Sequence, residues 1–291
     1  MRRKWYVVML LLCVAVAGIA QQNNKVFDID LWQQGLPNSN GMDSPPFDES
    51  IGNFKPSIRV FLPDSRVATG KAVLICPGGA YVHLAYHHEG YDWAPYFNKM
   101  GIAAIVLKYR MPKRGHKEVP YSDAEEAMRL IKSHASQWNI NPDDVGIMGS
   151  SAGGHLASTV AVRSTGNLRP DFQILFYPVI TMDKKYTHMG SHDNLLGPGA
   201  SKELEEKYSN EKQVTGNTPP AFIVYSDDDD LVAPDNGVNY YLALRKHGIP
   251  ASLHIYPSGG HGWGILESFL YKNQMLNDLE VWLKTCKPGK K

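Results

Sequence analysis

Seven apolar runs of four to eight residues constrain this chain more than any other feature: 57–62, 71–76, 102–109, 145–148, 172–177, 221–226 and 251–256. Stretches with helical spacing fall between or after them, at 91–100, 122–137, 154–163, 234–247 and 266–285. Several of the runs are near-continuous Val, Ile, Leu and Ala, so both faces must be buried, as in a central parallel strand. Such alternation builds an α/β fold, a mainly parallel central sheet with helices on both faces. Ser122 and Glu125 have capping-box spacing, and Ala124, Ala127, Met128 and Ile131 recur at helical period, which predicts a helix from 122. No internal repeat is present.

Two regions interrupt the pattern. Residues 21–56 are rich in Asn, Gly, Pro and Ser and read as an irregular N-terminal arm over the surface. Residues 180–218 lack a strand pattern but hold a short helical stretch near 201–208, an insertion after the strand that ends at Tyr177. Insertions at the carboxyl ends of parallel strands roof the ligand crevice, so this one is expected near an active site.

Arg2, Arg3 and Lys4 precede an apolar run that ends in Gly18-Ile19-Ala20. This is the pattern of a secretory signal peptide, residues 1–20, with cleavage after Ala20. The run is short for a membrane span, so no integral span is expected once it is removed. Residues 21–291 then suit a single α/β domain in a secreted or periplasmic protein. Thirty Lys and Arg against 29 Asp and Glu leave a net charge of +1. That balance offers no field to attract nucleic acid. Cys13 departs with the leader, and Cys76, at the end of an apolar run, reads more as a small buried hydrophobe than as a disulfide partner of Cys286, the lesser alternative.

Within that frame, Gly149-Ser150-Ser151-Ala152-Gly153 follows the run at 145–148 and precedes a helix-permissive one. A plain Gly/Ser turn would read the same; the strand before it favours a nucleophile elbow, whose sharp turn tolerates only small residues beside the serine. A serine hydroxyl is a poor nucleophile until a base takes its proton and a third group orients that base. Both are available downstream. His261 is the only one of 11 histidines with glycine on each side, in a loop just after the last run. Asp227, Asp228, Asp229 and Asp230 follow the run at 221–226. Four adjacent carboxylates repel one another, so one is expected to turn inward while the others stay solvated. Upstream, Pro77-Gly78-Gly79-Ala80-Tyr81 follows the run at 71–76, where backbone N–H groups could hold an oxyanion. Gly79 and Ala80 are the candidate donors there, with Ala152 as the third.

Taken together, Pro77-Gly-Gly-Ala-Tyr81, Lys108-Tyr-Arg-Met-Pro112, Gly149-Ser-Ser-Ala-Gly-Gly-His155, the Asp run and His261-Gly-Trp-Gly264 resemble secreted bacterial α/β-hydrolase esterases. The likeness is to the acetyl-esterase and acetylxylan-esterase branch related to hormone-sensitive-lipase-type esterases, and it extends over about 25–283. The resemblance implies an α/β-hydrolase fold and a Ser151, Asp229, His261 triad. It selects Asp229 because the family's acid stands three residues before a valine, here Val232; Asp230 is the alternative. The family's loop carries a third glycine where this chain has Ala80.

The implied activity is hydrolysis of carboxylic esters, with an acetylated plant polysaccharide or oligosaccharide as substrate and no metal or cofactor. Feruloyl ester hydrolysis, a prolyl-oligopeptidase-type peptidase activity, and a non-catalytic carbohydrate-binding protein on the same fold are the alternatives. Tyr81, Trp93 and Trp263 flank the expected site; Tyr81 and Trp263 are candidate substrate contacts, although each could equally be a core residue. His83, His87, His88 and Glu89 could suggest a metal cluster, but they lack a second coordinating set and read better as a loop near the pocket. His155 reads as a packed, hydrogen-bonded residue behind the serine.

Overall fold

The computed structural model describes residues 25–42 and 46–286; the predicted leader lies outside them. Eight strands form one sheet in the order β1-β2-β4-β3-β5-β6-β7-β8. They are β1 (Lys25–Asp30), β2 (Ser57–Leu62), β3 (Ala72–Cys76), β4 (Ala103–Lys108), β5 (Val145–Ser150), β6 (Gln173–Phe176), β7 (Ala221–Ser226) and β8 (Ala251–Tyr256). From β4 to β8 every pairing is parallel. β2 pairs antiparallel with both β1 and β4. Burial follows composition: the continuous apolar strands β3, β5, β6 and β7 are buried at every position, whereas β2 alternates buried and half-buried residues. The seven sequence runs all become strands.

β1 corrects the reading of 21–56 as wholly irregular. Its sequence, Lys-Val-Phe-Asp-Ile-Asp, alternates and places Phe27 and Ile29 half-buried while Lys25, Asp28 and Asp30 stay exposed. Direct pairing of Asp28 with Arg59 sets opposite charges across the two strands, with Nε to Oδ1 at 2.7 Å. Polar side chains on an edge strand conceal it in composition. The other described residues of the arm carry a short 3-10 turn at Glu49–Ile51 and an isolated antiparallel bridge between Asp48 and Asn53. The arm is strapped down by a buried ion pair: Arg110, after β4, contacts the Asp123 carboxylate at 2.8 Å. The same guanidinium donates to the Asn38 side chain and backbone oxygen, and Trp32 Nε1 donates to Asp123.

The helices are α1 (Ala94–Lys99), α2 (Glu118–Ser133), α3 (Ser151–Arg163), α4 (Met189–Leu196), α5 (Lys202–Tyr208), α6 (Asp235–Lys246) and α7 (Lys272–Thr285). α2 starts four residues before the predicted capping box. Pro120 lies in its first turn, where a missing N–H costs nothing, and the Ser122 hydroxyl donates to Val119 O instead of capping. α7 begins at Lys272 and not at 266, because Trp263 and Phe269 stack and hold the chain between them in turns. The insertion at 180–218 folds as two helices and not one. Ser201 caps α5, accepting from Leu204 N–H. α4 escapes a propensity reading because Gly190, Ser191 and Asn194 are weak helix formers; it is held by burial of Leu195 and Leu196. No helix of the described residues is long and apolar enough to cross a membrane.

Both side chains of the Arg110–Asp123 pair are essentially inaccessible, so removing one strands the other charge. Asp123→Ala is expected to cost about 3–5 kcal/mol of stability, read from the urea midpoint. A loss under about 1 kcal/mol would show that Asn38 alone satisfies Arg110.

Candidate active site

All the chemically interesting loops leave the carboxyl ends of the parallel strands. At the end of β5 the chain turns into α3 at Ser151, whose φ is +53°. That left-handed backbone is strained for a residue with a Cβ. It is enforced by close packing: a Cβ on Gly149 would lie 2.2 Å from Gly153 O, and one on Gly153 would lie 2.1 Å from Cys76 O. The turn therefore closes on itself and on the end of β3, and it presents the serine side chain away from the sheet.

His261 stands in the loop after β8 and reaches Ser151. Its Nε2 is 2.9 Å from Ser151 Oγ, and its Nδ1 is 2.7 Å from Asp229 Oδ2. An ionised carboxylate only accepts, so Nδ1 carries the proton and Nε2 is left to accept from the serine hydroxyl. Asp229 is 5% exposed, whereas Asp227, Asp228 and Asp230 face solvent. The second oxygen of Asp229 accepts the N–H groups of Leu231 (3.0 Å) and Val232 (2.9 Å). This explains the three-residue spacing to the valine in physical terms: the backbone curls around the buried carboxylate and supplies its donors. Asp228 faces outward and accepts from Gly260 N–H at 2.8 Å, which steadies the histidine loop.

The loop after β3 packs on the serine, since a Cβ on Gly78 would lie 3.0 Å from Ser151 Cβ. Gly79, Ala80 and Tyr81 all have positive φ, at 131°, 54° and 60°. Gly79 O accepts from Val82 and His83, and Ala80 O accepts from the Asn194 side chain at 2.9 Å. With the carbonyls held this way, the N–H groups of Gly79 and Ala80 have no acceptor among the described residues. Ala152 is the second residue of α3, so its N–H lacks an intrahelical partner.

A model of the alpha/beta hydrolase fold matches residues 73–265. The chain belongs to the alpha/beta hydrolase family. It is 46% identical over 229 residues to an acetylxylan esterase of Xylanibacter ruminicola, a match covering 77% of this chain and 47% of that protein. An endo-1,4-beta-xylanase B of Butyrivibrio fibrisolvens is 34% identical over 260 residues, 84% of this chain and 39% of that protein. The chain thus spans less than half the length of either relative. Among solved structures, an acetyl ester-xyloside bifunctional hydrolase from Caldicellulosiruptor lactoaceticus superposes with a TM-score of 0.77 at 34% identity. That match covers 89% of this chain and 96% of the other.

In this alpha/beta hydrolase the two aromatic residues expected to touch substrate are both largely buried. Tyr81 is 3% exposed; its hydroxyl bonds to His155 Nδ1 at 2.9 Å and its ring sits edge-on to Tyr109. Positive φ turns its side chain beneath the loop, leaving an edge on a cavity of about 240 Å³ that Ile51, Val82, Met111 and Asn194 also line. Trp263 is 4% exposed, donates to Ser226 Oγ at 3.0 Å and lies flat on Phe269 at 3.9 Å. Trp93 is fully buried against Phe176. Exposed apolar side chains on the flanking segments include Ile51 in the arm, Val82 in the loop after β3, Leu231 beside the acid and Met189 in the insertion.

Asn194, Tyr177 and Glu89 belong to the site and were not assigned from sequence. Asn194 sits in a helix that propensity does not reveal, and Glu89 lies in the segment that the sequence reads as a loop near the pocket, without a role of its own. No group of three or more His, Cys, Asp or Glu that could hold a metal occurs among the described residues. Cys76 is a free, buried thiol whose pKa burial pushes up.

His155 is packed and hydrogen-bonded. Its Nε2 lies 2.8 Å from Tyr208 O, an acceptor, so that nitrogen is protonated and Nδ1 accepts from Tyr81. Burial lowers its pKa to about 4. Below the unfolded value near 6.5 the unfolded chain takes up a proton that the folded chain refuses until about pH 4. The stability supplied by neutral His155 is therefore present above pH 6.5 and lost by roughly 3 kcal/mol as pH falls to 4. In His155→Gln the difference in urea-unfolding free energy between pH 7 and pH 4 should shrink by that amount. An unchanged difference would remove His155 as its source.

Proposed function

We propose that this alpha/beta hydrolase is a serine esterase that removes acetyl groups from xylan-type polysaccharide or its fragments. One observation carries the reading: the unbroken chain from the buried Asp229 carboxylate through His261 to Ser151, at 2.7 and 2.9 Å. The acetyl and xylan part is supported by the acetylxylan esterase that the chain resembles at 46% identity.

Ser151 Oγ attacks the ester carbonyl as His261 Nε2 takes its proton. Asp229 stabilises the imidazolium and holds the tautomer that makes Nε2 basic. Negative charge moves to the carbonyl oxygen, where the N–H groups of Gly79, Ala80 and Ala152 meet it; one such donor is worth about 2.7–4 kcal/mol of barrier. The imidazolium returns its proton to the departing sugar oxygen, leaving an acetyl-serine. Water activated by His261 then releases acetate and restores the hydroxyl. The exposed apolar side chains of Val82, Met189 and Leu231, on segments that follow the carboxyl ends of the strands, would offer the sugar backbone apolar contact.

The charged-then-apolar segment at 2–20 further supports export, with the mature chain beginning at Gln21. Mass spectrometry of protein recovered outside the cytoplasm should find that N-terminus, and a retained Met1 would refute it.

Ser151→Ala should lower turnover of p-nitrophenyl acetate by roughly six orders of magnitude with unchanged circular dichroism. Asp229→Asn should lose roughly three to four orders through the wrong tautomer, while Asp230→Asn, altered at an exposed position, stays within twofold. Retained activity in Ser151→Ala would end the nucleophile assignment. Acetate release from acetylated xylan should exceed ferulate release from feruloylated fragments, and the reverse order would move the substrate to feruloyl esters.

A further inference from the structure

Glu89 is 3% exposed, and no lysine or arginine pairs with it among the described residues. A buried carboxylate without a counter-charge is costly unless its oxygens are fully used. Here one oxygen is engaged by the loop after β3, and the other by Tyr177, which follows β6 and is bonded in turn to the His261 loop. Oε2 accepts the Gly78 N–H at 2.8 Å, one residue before the proposed oxyanion donors. Oε1 accepts the Tyr177 hydroxyl at 2.8 Å, and the Tyr177 oxygen in turn accepts the Gly264 N–H at 2.7 Å, three residues past His261. The Tyr177 ring also lies against the His261 imidazole, with centroids 4.7 Å apart. Tyr177 is held at φ +34°, a strained backbone for a tyrosine. The neighbouring backbone repeats the link: His88 O accepts from Ile265 N–H at 3.1 Å, and Gly78 O accepts from Ala85 N–H at 3.0 Å.

We infer that Glu89 is a positioning residue that fixes the loop bearing the oxyanion donors relative to the loop bearing His261, acting through Gly78 on one side and Tyr177 on the other. The inference rests on the esterase reading above. Its logic is one of hydrogen-bond polarity. Tyr177 already accepts from Gly264, so its own proton needs an acceptor, and Gly78 N–H needs another. Only a group that accepts at both ends serves both loops, and ionised glutamate is that group. Glutamine has the same shape but one donor end, so it must abandon either Gly78 or Tyr177.

Three variants test this with p-nitrophenyl acetate and with phenylboronic acid, which forms a tetrahedral adduct on an active serine. Glu89→Gln should lower kcat roughly 10- to 100-fold with KM within about threefold, and Glu89→Ala should lose more, because a misplacement of about 1 Å costs on the order of 100-fold. The affinity for phenylboronic acid should weaken by the same factor as kcat/KM, since the adduct needs the same donors. Tyr177→Phe should lose roughly tenfold, and combining it with Glu89→Gln should add little, because both cut one chain. Glu89 variants with kcat within twofold of native would overturn the inference. So would kcat loss with unchanged boronate affinity, or failure of both Glu89 variants to fold, which would make the role structural. Failure of the underlying esterase reading shows separately, as retained activity in Ser151→Ala.

Discussion

The structure depends on one steric contact: the turn from β5 into α3 is so tight that Gly149 meets Gly153 and Gly153 meets the end of β3. Any larger residue there would push α3 off the sheet, and Ser151 could not be held at positive φ. Everything else in the site is referenced to that turn. The loop after β3 packs on Ser151, the loop after β7 supplies a buried carboxylate, and the loop after β8 closes the hydrogen-bonded chain. Parallel pairing from β4 to β8 brings these loops to one edge, because parallel strands all end on the same side.

Around that edge the protein uses buried and half-buried polar groups as fasteners. Arg110 and Asp123 tie the N-terminal arm to α2, Asn194 ties the insertion to Ala80, and Glu89 ties the loop after β3 to Tyr177. Each is a group that would be costly if unpaired, and each joins segments distant in sequence. Such contacts are selective in geometry because few alternative arrangements satisfy every donor and acceptor at once.

The fold was largely legible from the sequence. Fully apolar runs can only be buried strands, and β3, β5, β6 and β7 are buried at every position. β1 was not, since an edge strand needs only Phe27 and Ile29 against the core and its other positions are polar. Helix starts differ from the local signal where packing overrides it, as at Ser122, whose hydroxyl finds a carbonyl inside α2. The choice of Asp229 comes from the family resemblance, and the structure gives the spacing its physical reason: the donors to that carboxylate are the backbone groups just ahead, up to Val232.

By itself the sequence determined the alternating architecture, the small-residue turn around Ser151 and the chemical types held in reserve downstream. These follow from local rules: burial period, tolerance of positive φ and hydrogen bonding within a few residues. Only the tertiary structure decided that Tyr81 and Trp263 are buried, and that Glu89, Tyr177 and Asn194 are hydrogen-bonded to one another or to the loop after β3. Whether an aromatic face or a carboxylate meets solvent or protein depends on segments remote in sequence, and those distances exist only once the sheet has assembled.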